Sequence, residues 1–153
     1  MAIQTLKTWT ESVSGGYKTY TSEECADNSS TADSIASANI NDDLNGKKVM
    51  VGVNVTAAYD NVAIPISVEA STDGGTTWGI VGTATADMDH TTGLRLWSVD
   101  LSDVKGMGPF RIHANGGTGA TAVNMNTTGN LKFTYSVEEE GVGFGGTVGK
   151  DPS

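Results

Sequence analysis

Residues 64–78 read Ile-Pro-Ile-Ser-Val-Glu-Ala-Ser-Thr-Asp-Gly-Gly-Thr-Thr-Trp, and this segment is the clearest indication of the fold class. Its first half alternates apolar and other side chains, which is the period of a half-buried β-strand. Its second half is rich in Asp, Gly and Thr, residues that bond their own backbone or supply the positive φ of a tight turn. Because a second alternating run begins at Trp78, the stretch predicts a strand, a turn and a returning strand.

The turn has the spacing Ser-x-Asp-x-Gly-x-Thr-Trp, formed by Ser71, Asp73, Gly75, Thr77 and Trp78. This spacing resembles the Asp-box of sialidase propeller blades. The resemblance implies that Asp73 and Thr77 bind the backbone of the turn and that Trp78 anchors the second strand. A propeller needs several blades of about 40 to 50 residues each. The chain has 153 residues and one such motif, so we expect a structural turn and no sialidase.

The same alternation recurs along the chain and predicts an all-β protein. It is clear at residues 49–55, 64–70, 78–86, 94–101, 110–114 and 131–137, and weaker at 3–8, 16–21 and 34–40. Residues 94–101 are apolar on parts of both faces, which favours a central strand. Short strands separated by Gly, Asn and Asp predict an antiparallel β-sandwich of about eight strands with extended termini, for which a jelly roll is one arrangement.

The length fits one domain with its own core. We expect residues 1–140 to form a single β-sandwich and residues 141–153 to form a Gly-rich C-terminal tail. Residues 21–45 are rich in Ser, Ala, Asp and Asn, and predict a long polar loop or arm with one short strand and little core.

Charge and composition exclude several kinds of partner. The net charge is −9 and no basic run exceeds the pair Lys47-Lys48, so phosphate backbones and anionic membranes would repel the chain. The single cysteine, Cys25, cannot form an intrachain disulfide. The first residues lack the charged and apolar regions of a signal peptide, so we expect synthesis in a cytoplasm.

No residue pattern predicts catalysis, a metal site or a cofactor. Neither His90 nor His113 lies in a recognisable motif. The run Asp87-Met88-Asp89-His90 could offer carboxylate oxygens to calcium, but it lacks EF-hand spacing and is more typical of a solvated loop. Residues 141–146 match Gly-x-Gly-x-x-Gly, although the chain ends too soon for the helix that a dinucleotide site needs. We therefore expect a protein that is not an enzyme.

Residues 31–86 resemble part of small tailed-phage virion proteins. A Ser/Thr/Asp-rich segment leads to the strand entry Asn45-Gly46-Lys47-Lys48-Val49, and the strand-turn-strand unit of residues 64–78 follows. The resemblance implies a structural protein made in the host cytoplasm and located on the virion. Its expected role is a capsid decoration (cement) protein that binds the major capsid protein on the outer surface and stabilises capsomer junctions; a neck or tail accessory protein is the alternative. The resemblance carries over no catalytic residue.

Such a protein needs contact residues for the capsid and for copies of itself, and a trimer would suit lattice three-fold axes. The candidates are apolar residues near the two ends of the chain: Leu6, Trp9, Val142, Phe144 and Val148. A carbohydrate-binding module is the rival from another class. It would use Trp97, which alternates away from Leu94 and Leu96 and is either exposed for a sugar or covered in the core.

Overall fold

A computed structural model describes residues 2–25, 32–56, 64–88, 91–115 and 131–138. The described residues form ten β-strands and no helix, which confirms the all-β prediction. The strands are β1 Ala2–Thr5, β2 Trp9–Ser14, β3 Tyr17–Ser22, β4 Ala32–Ala36, β5 Lys48–Val55, β6 Ile66–Ser71, β7 Trp78–Thr83, β8 Gly93–Asp100, β9 Phe110–Asn115 and β10 Leu131–Glu138.

The strands form two five-stranded sheets, in the orders β1-β4-β9-β6-β7 and β2-β3-β10-β5-β8. Neighbouring strands are antiparallel except β1 and β4, which pair in parallel. One hydrophobic core draws residues from both sheets, so the architecture is a β-sandwich.

The core follows the alternation of the sequence. Val49, Val51, Val53 and Val55 of β5 are all at most 1% exposed, while Met50 and Asn54 of the same strand face outward. Phe133 of β10 is fully buried opposite Val53, its cross-strand neighbour. The two sheets differ in this respect: β5 has one buried and one outward face, whereas all six residues of β6 in the other sheet are buried, although its alternation predicted a half-buried strand.

The expectation of a central strand at residues 94–101 was wrong, because β8 is an edge strand that pairs only with β5 among the described strands. Its apolar residues do lie on both faces, as the sequence indicated. Trp97 and Val99 enter the core, whereas Leu94 and Leu96 are 58% and 53% exposed. The outward leucines are therefore surface residues, not a second buried face.

The expectation that residues 21–45 carry little core was also wrong. Cys25, Ile35, Ile40 and Leu44 are each at most 2% exposed, and β4 within this segment pairs with both β1 and β9. The apolar residues are spaced too widely to give a periodic signal, yet each side chain enters the core. Strand β2 was not predicted, because its sequence, Trp-Thr-Glu-Ser-Val-Ser, has few apolar residues.

Candidate functional site

The turn between β6 and β7 is held by its own side chains. Ser71 Oγ accepts hydrogen bonds from the backbone N–H groups of Asp73 (3.2 Å) and Gly75 (2.9 Å), and donates to Asp73 Oδ1 at 2.7 Å. Asp73 Oδ1 also accepts from the N–H groups of Thr76 (3.1 Å) and Thr77 (2.8 Å). The hydrogen bond from Ser71, followed by those from Thr77, lowers the pKa of Asp73 far below its usual range.

Positive φ is required at the tip of this turn, where Gly74 and Gly75 have φ of 79° and 101°. Trp78 follows directly and opens β7. It is half-buried, and the guanidinium carbon of Arg111 on β9 lies 4.4 Å from the centre of its ring. The turn therefore places Trp78 at the start of β7, where its ring makes a cation–π contact with Arg111 of β9.

Arg111 belongs to a buried polar network that links β6 and β9. Its Nε donates to Glu69 Oε1 at 2.7 Å, and His113 Nδ1 lies 2.9 Å from Glu69 Oε2. Glu69 and His113 are only 7% and 6% exposed. Burial raises the pKa of Glu69, but the hydrogen bonds from His113 and Arg111 outweigh it, so the pKa lies below its usual value. We call Glu69, Arg111, His113 and Trp78 the corner network.

A carboxylate bonded to one imidazole nitrogen is the arrangement that orients a catalytic histidine. The chemistry would then take place at the other nitrogen. Here His113 Nε2 is buried and has no hydrogen-bond partner among the residues that the structure describes. The Glu69–His113 pair therefore joins β6 to β9 inside the protein.

Sequence reasoning did not pair these residues, since 44 positions separate Glu69 from His113. The available signal was a carboxylate in the middle of β6, a strand that is buried on both faces. A charged side chain at such a position needs a buried partner of opposite charge.

A second cluster holds the beginning of β2 against β3 and β10. The ring of Tyr135 stacks on Tyr20 with centroids 4.8 Å apart, and Trp9 meets Tyr135 edge-on at 4.8 Å. Tyr135 Oη donates to Asp42 Oδ2 at 2.9 Å. Burial, followed by this contact with Asp42, raises the pKa of Tyr135 far above its usual value.

The structure gives the predicted contact residues different positions. Leu6 is 2% exposed and belongs to the core, so its side chain is not a surface contact in this fold. Trp9 is half-buried, and its Nε1 donates to Ala38 O (3.3 Å) and Asn39 O (3.2 Å). Val142, Phe144 and Val148 lie outside the described residues.

Trp97 is only 8% exposed, which confirms its use in the core. It is therefore not the exposed platform that a sugar-binding surface would require. Trp78 is covered on one ring face by Arg111, and Trp9 packs on Tyr135.

The structure describes the predicted cation loop only in part. Met88 is fully buried and pairs its backbone with Ile64, while Asp87 is exposed; Asp89 and His90 lie outside the described residues. Within the described ranges, no three His, Cys, Asp or Glu residues are placed to hold a metal ion. Nor is there, in those ranges, a helix long and apolar enough to cross a membrane.

Exposed apolar side chains are concentrated on one surface. The large ones among the described residues are Val13, Tyr17, Met50, Ile80, Leu94 and Leu96. Strand register places Tyr17, Met50, Leu94 and Leu96 on the outer face of the sheet that contains β5 and β8. Ile80 lies on the other sheet, beside the corner network.

Comparisons with known proteins add no relative. No protein-family model, no curated protein and no solved structure matches the chain.

Proposed function

We propose that this chain is a non-enzymatic structural protein of a tailed-phage virion. Its role is that of a capsid decoration protein, which binds the major capsid protein on the outer surface and stabilises the junctions between capsomers. Support comes from the resemblance over residues 31–86. The described part of this region contains β4, β5, β6 and β7. Hydrogen bonds within the β6–β7 turn hold those two strands together at one end.

The observation that carries the non-enzymatic half of the proposal is the closed environment of His113. A hydrolase would need a histidine, a carboxylate and a hydroxyl meeting in a cleft. His113 has its carboxylate, Glu69, but its second nitrogen is sealed inside the protein. The carboxylates of Asp73 and Asp42 likewise accept hydrogen bonds within the fold, from the β6–β7 turn and from Tyr135.

We assign capsid docking to the C-terminal tail, because the other two predicted contact residues, Leu6 and Trp9, contribute to internal packing. Val142, Phe144 and Val148 occupy even positions among glycines, so an extended strand would present all three on one face. Adding such a strand to a sheet edge on the capsid would satisfy its backbone and bury these side chains. Many symmetry-related copies would then multiply a modest contact through avidity.

Truncation after Glu140 tests this docking mode. Purified truncated and full-length chains are each mixed with capsids that lack the protein, and bound chain is measured by co-sedimentation. We expect the truncated chain to keep the urea-unfolding midpoint of the full chain and to lose binding. A truncated chain that decorates capsids as well as the full chain would exclude tail docking.

A matched pair of full-length variants separates the apolar contact from tail length. Phe144→Ser removes the largest apolar side chain of the tail and should weaken binding strongly. Thr147→Ser changes a residue at an odd position, on the opposite face of the extended tail, and should bind like the unchanged chain. Equal binding by both variants would contradict a strand whose apolar face meets the capsid.

A further inference from the structure

The chain contains two Asn-Gly pairs, Asn45-Gly46 and Asn115-Gly116. Asn-Gly is the dipeptide most prone to deamidation, because glycine has no Cβ to shield its nitrogen from the asparagine side chain. The glycine nitrogen attacks asparagine Cγ and loses its proton, the Cγ–Nδ2 bond breaks, and the amide nitrogen leaves as ammonia. Water then opens the resulting succinimide to aspartate or isoaspartate. The structure describes both members of the first pair and shows which contacts must break before they react.

The side chain of Asn45 is bonded to the main chain of Met107, in the loop of residues 101–109 that joins β8 to β9. Asn45 Nδ2 donates to Met107 O at 2.9 Å, and Asn45 Oδ1 accepts from Met107 N at 3.0 Å. The amide thus makes the two hydrogen bonds that a paired residue of an antiparallel strand would make. Asn45 Nδ2 also donates to Asp43 Oδ1 at 2.8 Å. The amide therefore cannot rotate without breaking these bonds.

The attacking nitrogen is held by the same loop. Gly46 N donates to Leu101 O at 3.1 Å, and this N–H is the one that must lose its proton in the reaction. Gly46 has a φ of 75°, in a turn that is closed by the hydrogen bond from Lys47 N to Leu44 O. Both reacting groups are therefore bonded to residues 101–109, and opening of this one loop would release them together.

We propose that Asn45 is a latent deamidation site: the β8–β9 loop keeps it unreactive while closed, and the modification, once made, keeps the loop from closing again. A carboxylate at position 45 has no N–H to donate to Met107 O and places a negative oxygen against it. Hydrogen bonds from the side chain and then the backbone of Asn45 lower the pKa of Asp43, so Asp43 is an anion at neutral pH. The new carboxylate would also repel this neighbour.

The modification would affect a loop that also holds the β6–β7 turn. Gly108 N donates to Ser71 O at 3.1 Å, and Ser71 N donates to Pro109 O at 3.0 Å. Met107, between the Asn45 contact and this one, packs against the core. Loss of the Asn45 contact therefore loosens the segment that connects residue 45 to the turn. The inference concerns the isolated chain and does not depend on the proposed virion role.

Peptide mapping by mass spectrometry tests the closed state of the site. The full chain is incubated in mildly alkaline buffer, either folded or in urea above its unfolding transition, and deamidation is measured at both Asn-Gly pairs. In urea, Asn45 and Asn115 should react at similar rates. In the folded protein, Asn45 should react at least about tenfold more slowly than it does in urea, because the loop must open first. A smaller difference, or no reaction of Asn45 in urea while Asn115 reacts, would overturn the inference.

Hydrogen exchange followed by mass spectrometry tests the effect on the loop. Asn45→Asp reproduces one deamidation product and should speed exchange in the peptide that covers residues 102–108 by at least about tenfold. Asn41→Asp is the matched control, since it adds the same charge close by at an exposed position and should exchange like the unchanged chain. Unchanged exchange in Asn45→Asp, or equal acceleration in both variants, would overturn the inference. The rate comparison uses the unchanged chain, so it decides the inference even if Asn45→Asp does not fold.

Discussion

The corner network predicts a large, pH-dependent loss of stability for Glu69→Gln. The side chain of Glu69 is 10% exposed and accepts hydrogen bonds from Arg111 and His113. Glutamine keeps the size but removes the charge, which leaves Arg111 without its anionic partner. It also places an amide N–H₂ where one carboxylate oxygen accepted. Breaking a buried ion pair by removing one partner costs about 3–5 kcal/mol.

Partial exposure and the remaining contact with Trp78 reduce this cost, so we expect a loss of about 3 kcal/mol in the free energy of unfolding at pH 7. For a chain of this size that corresponds to a fall of about 6–12 °C in Tm. Glu11→Gln is the matched control. Glu11 lies 4.0 Å from Lys18 at the surface, with its side chain 46% exposed, and its loss should cost under about 0.5 kcal/mol.

The pH dependence gives a second check on the same variant. Because the folded-state pKa of Glu69 is lowered, its contribution is present above the usual carboxyl pKa of about 4.3 and is lost as the pH falls through the folded-state value. Urea unfolding followed by Trp fluorescence should therefore show a difference between the unchanged chain and Glu69→Gln that shrinks under acid. A difference under about 0.5 kcal/mol at pH 7, or one that is constant from pH 7 to the acid limit, would contradict a stabilising ionised Glu69.

Gly52→Ala should lower the free energy of unfolding by about 1–2 kcal/mol in urea titrations, because the new Cβ would lie 2.9 Å from a backbone oxygen that cannot swing away. Gly79→Ala has open space around its Cβ and should be neutral or slightly stabilising; equal effects at the two glycines would contradict the packing. Because the pKa of Tyr135 is raised in the folded protein, the contribution of this group to the free energy of unfolding is fully present below a pH of about 10. It is lost as the pH rises further. Tyr135→Phe should lose about 1–2 kcal/mol at pH 7 with the hydrogen bond to Asp42, and its stability should then fall less steeply under alkali. Tyr20, whose pKa is also raised, should leave a residual slope, and identical alkaline profiles for both chains would contradict this assignment.

Local patterns in the sequence predicted the turn and every described strand except β2, because those features depend on neighbouring residues. The valines of β5 alternate strictly, and the β6–β7 turn carries its own hydrogen-bonding side chains. Sheet order depends on distant partners and could not be found in this way. Residues 94–101 would show the same alternation in a central strand and in an edge strand. The position of β8 is known only from its pairing, which among the described strands is with β5 alone.

The candidate sites were harder to predict for the same physical reason. Glu69 and His113 meet only because β6 and β9 pair, and nothing in either strand specifies that register. Alternation with Leu94 and Leu96 left Trp97 either exposed or covered, and its burial at 8% exposure decides for the core.

Counting this chain in purified particles tests the virion assignment most directly. Phage particles from the source of the sequence would be purified on a gradient and analysed by quantitative mass spectrometry against the most abundant shell protein. We expect roughly one copy per one to three shell subunits, the ratio of a protein that covers a symmetric lattice. A few copies per particle would place it at the neck or tail instead. Its absence from purified particles would contradict the assignment to the virion.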